Sequence, residues 1–342
     1  MDITTDYDTQ DFLGDIRRKP DLIRSGYAVG IEAAHPMEAT GLLFAGMGGS
    51  GATANLVRDA CTRAMHMPFS IVQHYQIPNH VKKSWRVLAL SYSGNTEEVL
   101  SVVQDARRRQ IPVTAFTTGG ELQEHADVMI RQPDGFQPRV ALAHPWFSVL
   151  GYLEGSGVLT EKVPVEAAAR GVEAMDALCG PEVPEERNEA KQVARRLADK
   201  IPQIYATPAF YGVGAYLRAM LNENAKKIAG LELIPECNHN DLMGWGSDEA
   251  RHHFTCLTLS HGFQNPEIQK RIQFMEQRYM DWGIDWHHHQ FDPIGGFASH
   301  VIEQAKAIQF ADYVSFYVAM LRGVDPAHIT AITALKEFLR NH

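Results

Sequence analysis

Along the first half of the chain, short uninterrupted apolar runs alternate with longer segments whose apolar positions recur every three or four residues. GLLFAG (41–46), FSIVQ (69–73) and WRVLALS (85–91) read as buried strands, and IPVTAFTT and DVMIRQ add two more. SGATANLVRDACTRA (50–64) and NTEEVLSVVQDARRR (95–109) carry the helical period. Strands that alternate with helices of this length predict a parallel sheet covered on both faces.

From Val140 to Leu197 the pattern is helix-rich, broken at LTEKVP and GPEVPEE. A second alternation follows: strand IPQIYATP, helix AYLRAMLNENAKKIAG, and strands LELIPEC and FTCLTLSH. After these come helix PEIQKRIQFMEQRYMDWG, strand IDWHHHQF and two C-terminal helices. The chain therefore divides into a first α/β unit with its N-terminal segment (1–160), a helical linker (161–190) and a second α/β unit (191–342). The rhythm is shared, but no internal sequence repeat is evident. Clefts at the carboxyl ends of strands in such units are where ligands collect.

Composition narrows the picture without deciding it. A chain of 342 residues, 45% hydrophobic and 21% charged, can build two ordinary cores. A net charge of −9 with no long basic run argues against nucleic-acid binding, yet leaves room for an anionic small substrate. No window reaches the apolar length of a membrane span. The opening MDITTDYDTQDFLGD lacks the basic and apolar regions of a signal peptide, so the expected location is the cytoplasm. Cys61, Cys179, Cys237 and Cys256 lie far apart with no CxxC pair, as reduced buried thiols do.

Candidate chemistry gathers at two junctions. In LALSYSGNTEEVL (88–100) a strand runs into Ser91, Ser93, Asn95 and Thr96 before a helix begins. Asn95 as N-cap with Glu98 as its capping-box acid would be the plain explanation. One cap needs one side chain, however, and a helix start with several hydroxyl donors suits a phosphate. GMGGSGA meets G-x-G-x-x-G at Gly46, Gly48 and Gly51, but Gln73 and His74 stand where a dinucleotide site needs an acid. No lysine follows the glycines as a P-loop requires.

Further along, LNENAKKIAGLELIPECNHNDLMGW (221–245) sets Glu223 between Asn222 and Asn224, and His239 between two asparagines. A solvated helix face and a structural histidine would account for these. A carboxylate and an imidazole are equally the pair that proton transfer needs. Arg139 follows a proline ahead of a helix, where an ordinary surface arginine would also fit. The histidines at 252–253 and 287–289 invite a metal, and on a strand only His287 and His289 would share a face. No carboxylate or third histidine stands at a recognisable ligand spacing, so no metal is expected.

Taken in order, these pieces resemble the bifunctional phosphoglucose/phosphomannose isomerases, built from two sugar isomerase (SIS) domains. The resemblance begins at DTQDFLGDIRRKPD and runs through GMGGSG, SYSGNTEE, FQPRVAL and NENAK. It continues through PECNHND with the Gly-Trp at 244–245 and ends in GVDPAHITAITALKEFL. It implies an α/β fold of two SIS-type subdomains, each a mainly parallel sheet flanked by helices. The implied activity interconverts glucose 6-phosphate and mannose 6-phosphate with fructose 6-phosphate through a cis-enediol, without cofactor or metal.

Gly48, Gly49, Ser50, Ser91, Ser93 and Thr96 match the family's cradle for the 6-phosphate. Glu223 matches its base and His239 its ring-opening histidine. Arg139 matches the arginine beside the enediolate, and Lys336 the C-terminal lysine. Thr330 or Thr333 would lie near C2–C3. The family supplies the histidine across a dimer interface, so a homodimer with shared sites is expected, with no nucleic-acid or membrane partner. Two details depart from the family: the apolar lead-in LRAML, and Asp241 where glutamate is usual. A non-catalytic phosphosugar sensor and an isomerase of another sugar phosphate are the competing expectations; the four catalytic matches favour the enzyme.

Overall fold

The computed structural model describes residues 2–137, 139–262 and 265–341. Its strands follow the apolar runs. β1 (Leu42–Gly46), β2 (Phe69–Val72), β3 (Arg86–Leu90), β4 (Val113–Thr117) and β5 (Val128–Arg131) form one sheet in the order β2-β1-β3-β4-β5. β6 (Ile201–Ala206), β7 (Gly230–Leu233), β8 (Phe254–His261) and β9 (Asp285–Phe291) form a second, in the order β7-β6-β8-β9. Every neighbouring pair in both sheets is parallel.

The helices, in chain order, begin with α1 (Phe12–Arg17), α2 (Lys19–Glu32), α3 (Gly48–Cys61) and α4 (Glu97–Arg108). α5 (Ala143–Gly155), α6 (Val165–Cys179), α7 (Glu189–Asp199) and α8 (Tyr211–Glu223) follow. α9 (Asp248–His253), α10 (Pro266–Asp281), α11 (Phe297–Leu321) and α12 (Thr330–Asn341) complete the chain. The short α9 has no counterpart in the apolar pattern. Ser247 caps it by accepting from the Ala250 N–H at 3.2 Å, with two acids in its first turn and three basic residues in its last. It places His252 and His253 on a helix.

Strand alternation explains the layering. Leu42 and Phe44 share one apolar cluster with Ile204, Leu257 and Leu259 of the second sheet and with α2, α3, α5, α8 and α11. Leu43 and Ala45 face the other way, onto Val99, Val102 and Val103 of α4. In the second sheet Tyr205 and Cys256 turn outward onto Ile272, Met275 and Tyr279 of α10. Strands buried on both faces need continuous apolar runs, which is why the sequence pattern located them. α11 is buried along most of its length and forms the middle of the shared layer. α2 and α5 pack unusually close: a Cβ on Gly30 would stand 2.2 Å from the Ser148 carbonyl oxygen.

One topological feature positions the site. The winding reverses between β1 and β3, where Gly46 lies opposite Leu90, so the segments after these strands emerge side by side. Among the described residues no helix is long and apolar enough to cross a membrane. All four cysteines are buried free thiols.

Candidate active site

The first half of the site is the pair of segments leaving β1 and β3. Gly48 opens α3 in a left-handed conformation (φ +53°), and Gly49 and Ser50 occupy its first turn. The N-cap, Met47, offers no side-chain bond to that turn. After β3, Ser91 is buried and its Oγ lies 2.7 Å from Thr96 Oγ1. Ser93 Oγ accepts from the Asn95 N–H at 3.3 Å.

The capping expectation at Asn95 does not hold. α4 begins at Glu97 behind Thr96, which makes no side-chain cap, and Asn95 Oδ1 instead accepts from the Glu121 N–H at 3.0 Å. Asn95 thus ties its loop to the neighbouring segment. Gly94 sits at φ +70°, and a Cβ there would stand 1.8 Å from the Gly119 carbonyl oxygen, so this turn requires glycine. Two helix starts without side-chain caps, with hydroxyls between them, are a donor array suited to a dianion.

The second half forms where α8 stops. The helical pattern predicted a helix through Gly230, but α8 ends at Glu223. The side chain of its C-cap, Asn224, is fully buried and engaged elsewhere, and Lys226 turns the chain through φ +51°. Asn224 Oδ1 accepts from Arg139 Nε at 2.7 Å, and its Nδ2 donates to Ser315 Oγ at 3.0 Å. Arg139 is 4% exposed, so the surface-arginine reading fails. Its Nη2 donates to the carbonyls of Pro326 (2.7 Å) and Ala327 (3.2 Å), and its Nη1 to Gln137 Oε1 (3.2 Å). Four neutral acceptors therefore fix the guanidinium in place.

Glu223 is half-buried, and burial pushes its carboxyl pKa up. The cations of Arg139, Lys336 and Lys226, in that order, oppose the rise. Burial likewise lowers the pKa of Arg139, with the Glu223 carboxylate opposing. A raised carboxyl beside a fixed cation is the electrostatic form of a general base next to a site of developing negative charge. Of the polar trio, Asn222 is an exposed residue bonded to its own helix, with Nδ2 donating to the Arg218 carbonyl at 2.7 Å.

Four expected residues stand at the surface. Lys336 is exposed on α12 within electrostatic reach of Glu223. Thr330 and Thr333 lie in the first turns of the same helix, both exposed. His239 ends a short 3-10 turn after β7; among the described residues no hydrogen bond or ion pair involves its side chain. Within one chain, then, Glu223 lies within electrostatic reach of Arg139 and Lys336, whereas β7 carries the chain from the end of α8 to His239.

Asp241, the departure in NHND, has a local explanation. Its Oδ2 accepts from the Tyr205 hydroxyl (2.7 Å) and Trp245 Nε1 (3.0 Å), pinning the His239 loop to the aromatic cluster beneath it. Sequence reasoning passed over Asn224 and Gln137 as site residues, although both lie inside the motifs that carried the resemblance.

A family model described as the bacterial phospho-glucose isomerase C-terminal SIS domain matches residues 186–339. Over 311 residues the chain is 30% identical to the bifunctional phosphoglucose/phosphomannose isomerase of Aquifex aeolicus, covering 88% of this chain and 91% of that relative. The protein of the same name from Caldicellulosiruptor bescii is 31% identical over 332 residues, 94% of this chain and 96% of the relative. Among solved structures, a hypothetical protein from Thermus thermophilus matches with a TM-score of 0.76 and 11% identity. That match covers 97% of this chain and 91% of the other, a likeness of fold.

Proposed function

The chain belongs to the bifunctional phosphoglucose/phosphomannose isomerase family, and from that premise we propose that it interconverts glucose 6-phosphate and mannose 6-phosphate with fructose 6-phosphate. The observation that carries this reading is the half-buried Glu223 carboxylate beside the immobilised Arg139 guanidinium. Aldose and ketose are isomers: the net change moves one hydrogen from C2 to C1 and one hydroxyl hydrogen from O2 to O1, the latter within the cis-enediol. Glu223 takes the C2 proton and returns it to C1. Arg139 stabilises the cis-enediolate charge, which is absent in the ground state.

Gly48, Gly49, Ser50, Ser91, Ser93 and Thr96 take the 6-phosphate and hold the reacting carbons against Glu223. His239, with Lys336, moves the protons that open the sugar ring. Thr330 or Thr333 lies near C2–C3 in this reading. Because β7 lies between the end of α8 and the His239 turn, His239 belongs to the far end of that strand from Glu223 in this reading, and a second copy supplies it, making the active unit a homodimer. α12 supports that reading, since Ile332, Leu335 and Leu339 are exposed apolar residues on it. Division at 1–160, 161–190 and 191–342, a cytoplasmic location, and no nucleic-acid or membrane partner belong to the same reading.

The test is fructose 6-phosphate formation from each aldose, with EDTA present, by wild type and Glu223→Gln. Turnover of both sugars, lowered by about 10²–10⁴-fold in the variant, is the expected outcome. Binding of the sugars without turnover by wild type would overturn the enzyme reading in favour of a phosphosugar sensor.

A further inference from the structure

The histidine run on β9 has a partner that no sequence spacing reveals. Strand alternation puts His287 and His289 on one face, while His288 turns to the other, its Nε2 2.6 Å from Ser260 Oγ. The first residue of α7, Glu189, reaches that face from about a hundred positions earlier in the chain. Its Oε1 lies 3.0 Å from His287 Nε2 and 2.8 Å from His289 Nδ1. All three donor atoms lie within 4.8 Å of one another. We propose that Glu189, His287 and His289 form a site for a divalent transition-metal ion of the Zn²⁺ type, separate from the sugar-phosphate site.

The geometry suits the chemistry. Tetrahedral coordination at about 2.0–2.1 Å sets neighbouring ligand atoms roughly 3.3 Å apart, so the two carboxylate–imidazole spacings need only a small opening to admit an ion. His289 cannot drift far: its ring stacks on Phe310 with centroids 4.1 Å apart and planes 9° from parallel. Phe291 meets the same ring edge-on at 4.3 Å. Ordering these rings is thus largely complete before an ion arrives. Two imidazoles and one carboxylate select against Mg²⁺ and Ca²⁺, which prefer oxygen cages, and in favour of zinc-like ions. Glu189 and His289 also line a cavity of about 310 Å³, which leaves room for water in a fourth position.

The ligands sit on α7 and β9, whereas Glu223 and Arg139 belong to α8 and the segment before α5. The proposed proton transfer has no step for this ion. Its effect is mechanical: it clasps the start of a packed helix to the outermost strand of the second sheet. Without the ion the same three side chains hold by hydrogen bonds, so the fold does not depend on loading.

The experiment uses the full-length protein, stripped of metal and free of any affinity tag. Zn²⁺ is titrated calorimetrically, and Co²⁺ is added in parallel to read its visible ligand-field bands. The expected result is one saturable ion per chain, nitrogen-coordinated Co²⁺ spectra and a higher melting temperature on loading. His289→Ala and Glu189→Gln should each weaken binding by at least about tenfold, since even outer-shell changes cost 10–100-fold. His287→Ala, at a part-exposed position, tests the same point with little risk to the core. A His252→Gln/His253→Gln double variant should bind as wild type does. No saturable binding, or binding that survives the three ligand substitutions or disappears in the double variant, would overturn the proposal.

Discussion

Arg139 shows what a single side chain in this site requires. A buried guanidinium without acceptors would be very costly, and here Asn224, Gln137 and two backbone carbonyls take its hydrogens. None of those acceptors is the Glu223 carboxylate, so the cation is held ready without being fully neutralised. The arginine and the glutamate were legible in FQPRVAL and NENAK. The bond that aligns them joins residues 85 positions apart, and periodicity carries no information about such a pair. Burial raises the Glu223 pKa, so the acid limb of kcat/KM should fall above the ordinary glutamate value of 4.5. The Lys336 cation counteracts that rise. Lys336→Met should therefore move the acid limb to still higher pH, which a pH profile of the variant against wild type would reveal. An unmoved limb would remove Lys336 from the electrostatics of Glu223.

At the scale of elements, the inner strands β1, β3, β4, β6 and β8 were readable because both of their faces are buried, and a parallel sheet leaves that plain trace. The end of α8 was not readable. Its apolar and polar pattern continues past Glu223, while the break is caused by tertiary demands on Asn224 and the left-handed Lys226. The α2–α5 contact is likewise invisible in the pattern, where Gly30 looks merely like a weak helix former. With the Ser148 carbonyl 2.2 Å from where a Cβ would stand, Gly30→Ala must push the two helices apart. The expected loss is about 1–3 kcal/mol of unfolding free energy, in place of the gain that glycine-to-alanine changes bring in an open helix. Urea unfolding of the variant checks the sign.

For the whole molecule, buried titratable groups link stability to pH. Burial lowers the His144 and His261 pKa values to about 4. Below pH 6.5 the unfolded chain binds protons that these folded sites refuse, so their contribution falls as pH drops from 6.5 toward 4. Each costs up to about 3 kcal/mol across that span. Asp59 works in the opposite sense. Burial raises its pKa to about 6, so the stability it contributes is present at low pH and is lost as pH rises toward 6. The informative quantity is thus a difference between variants. His144→Gln should flatten the dependence of the urea midpoint between about pH 7 and pH 5 relative to wild type, and an unchanged slope would show that His144 is protonated in the fold. The dimer is tested at this scale too. Mixing refolded Glu223→Gln and His239→Ala chains should restore about a quarter of wild-type activity if each site draws on both copies, and none if it does not.

The layer shared by the two sheets bears on how such a chain can change over evolutionary time. Phe44 and Leu88 of one half meet Ile204 and Leu257 of the other in a single apolar cluster threaded by α11. Neither half keeps a closed core when the other is removed. The halves are therefore poor candidates for shuffling as cassettes, and a half replaced from a distant homologue would arrive with an inner face shaped for different neighbours. Innovation is easier in the segments that leave the strand ends. A new substrate preference can arise there one loop at a time, while the two halves stay matched to each other as one inherited unit.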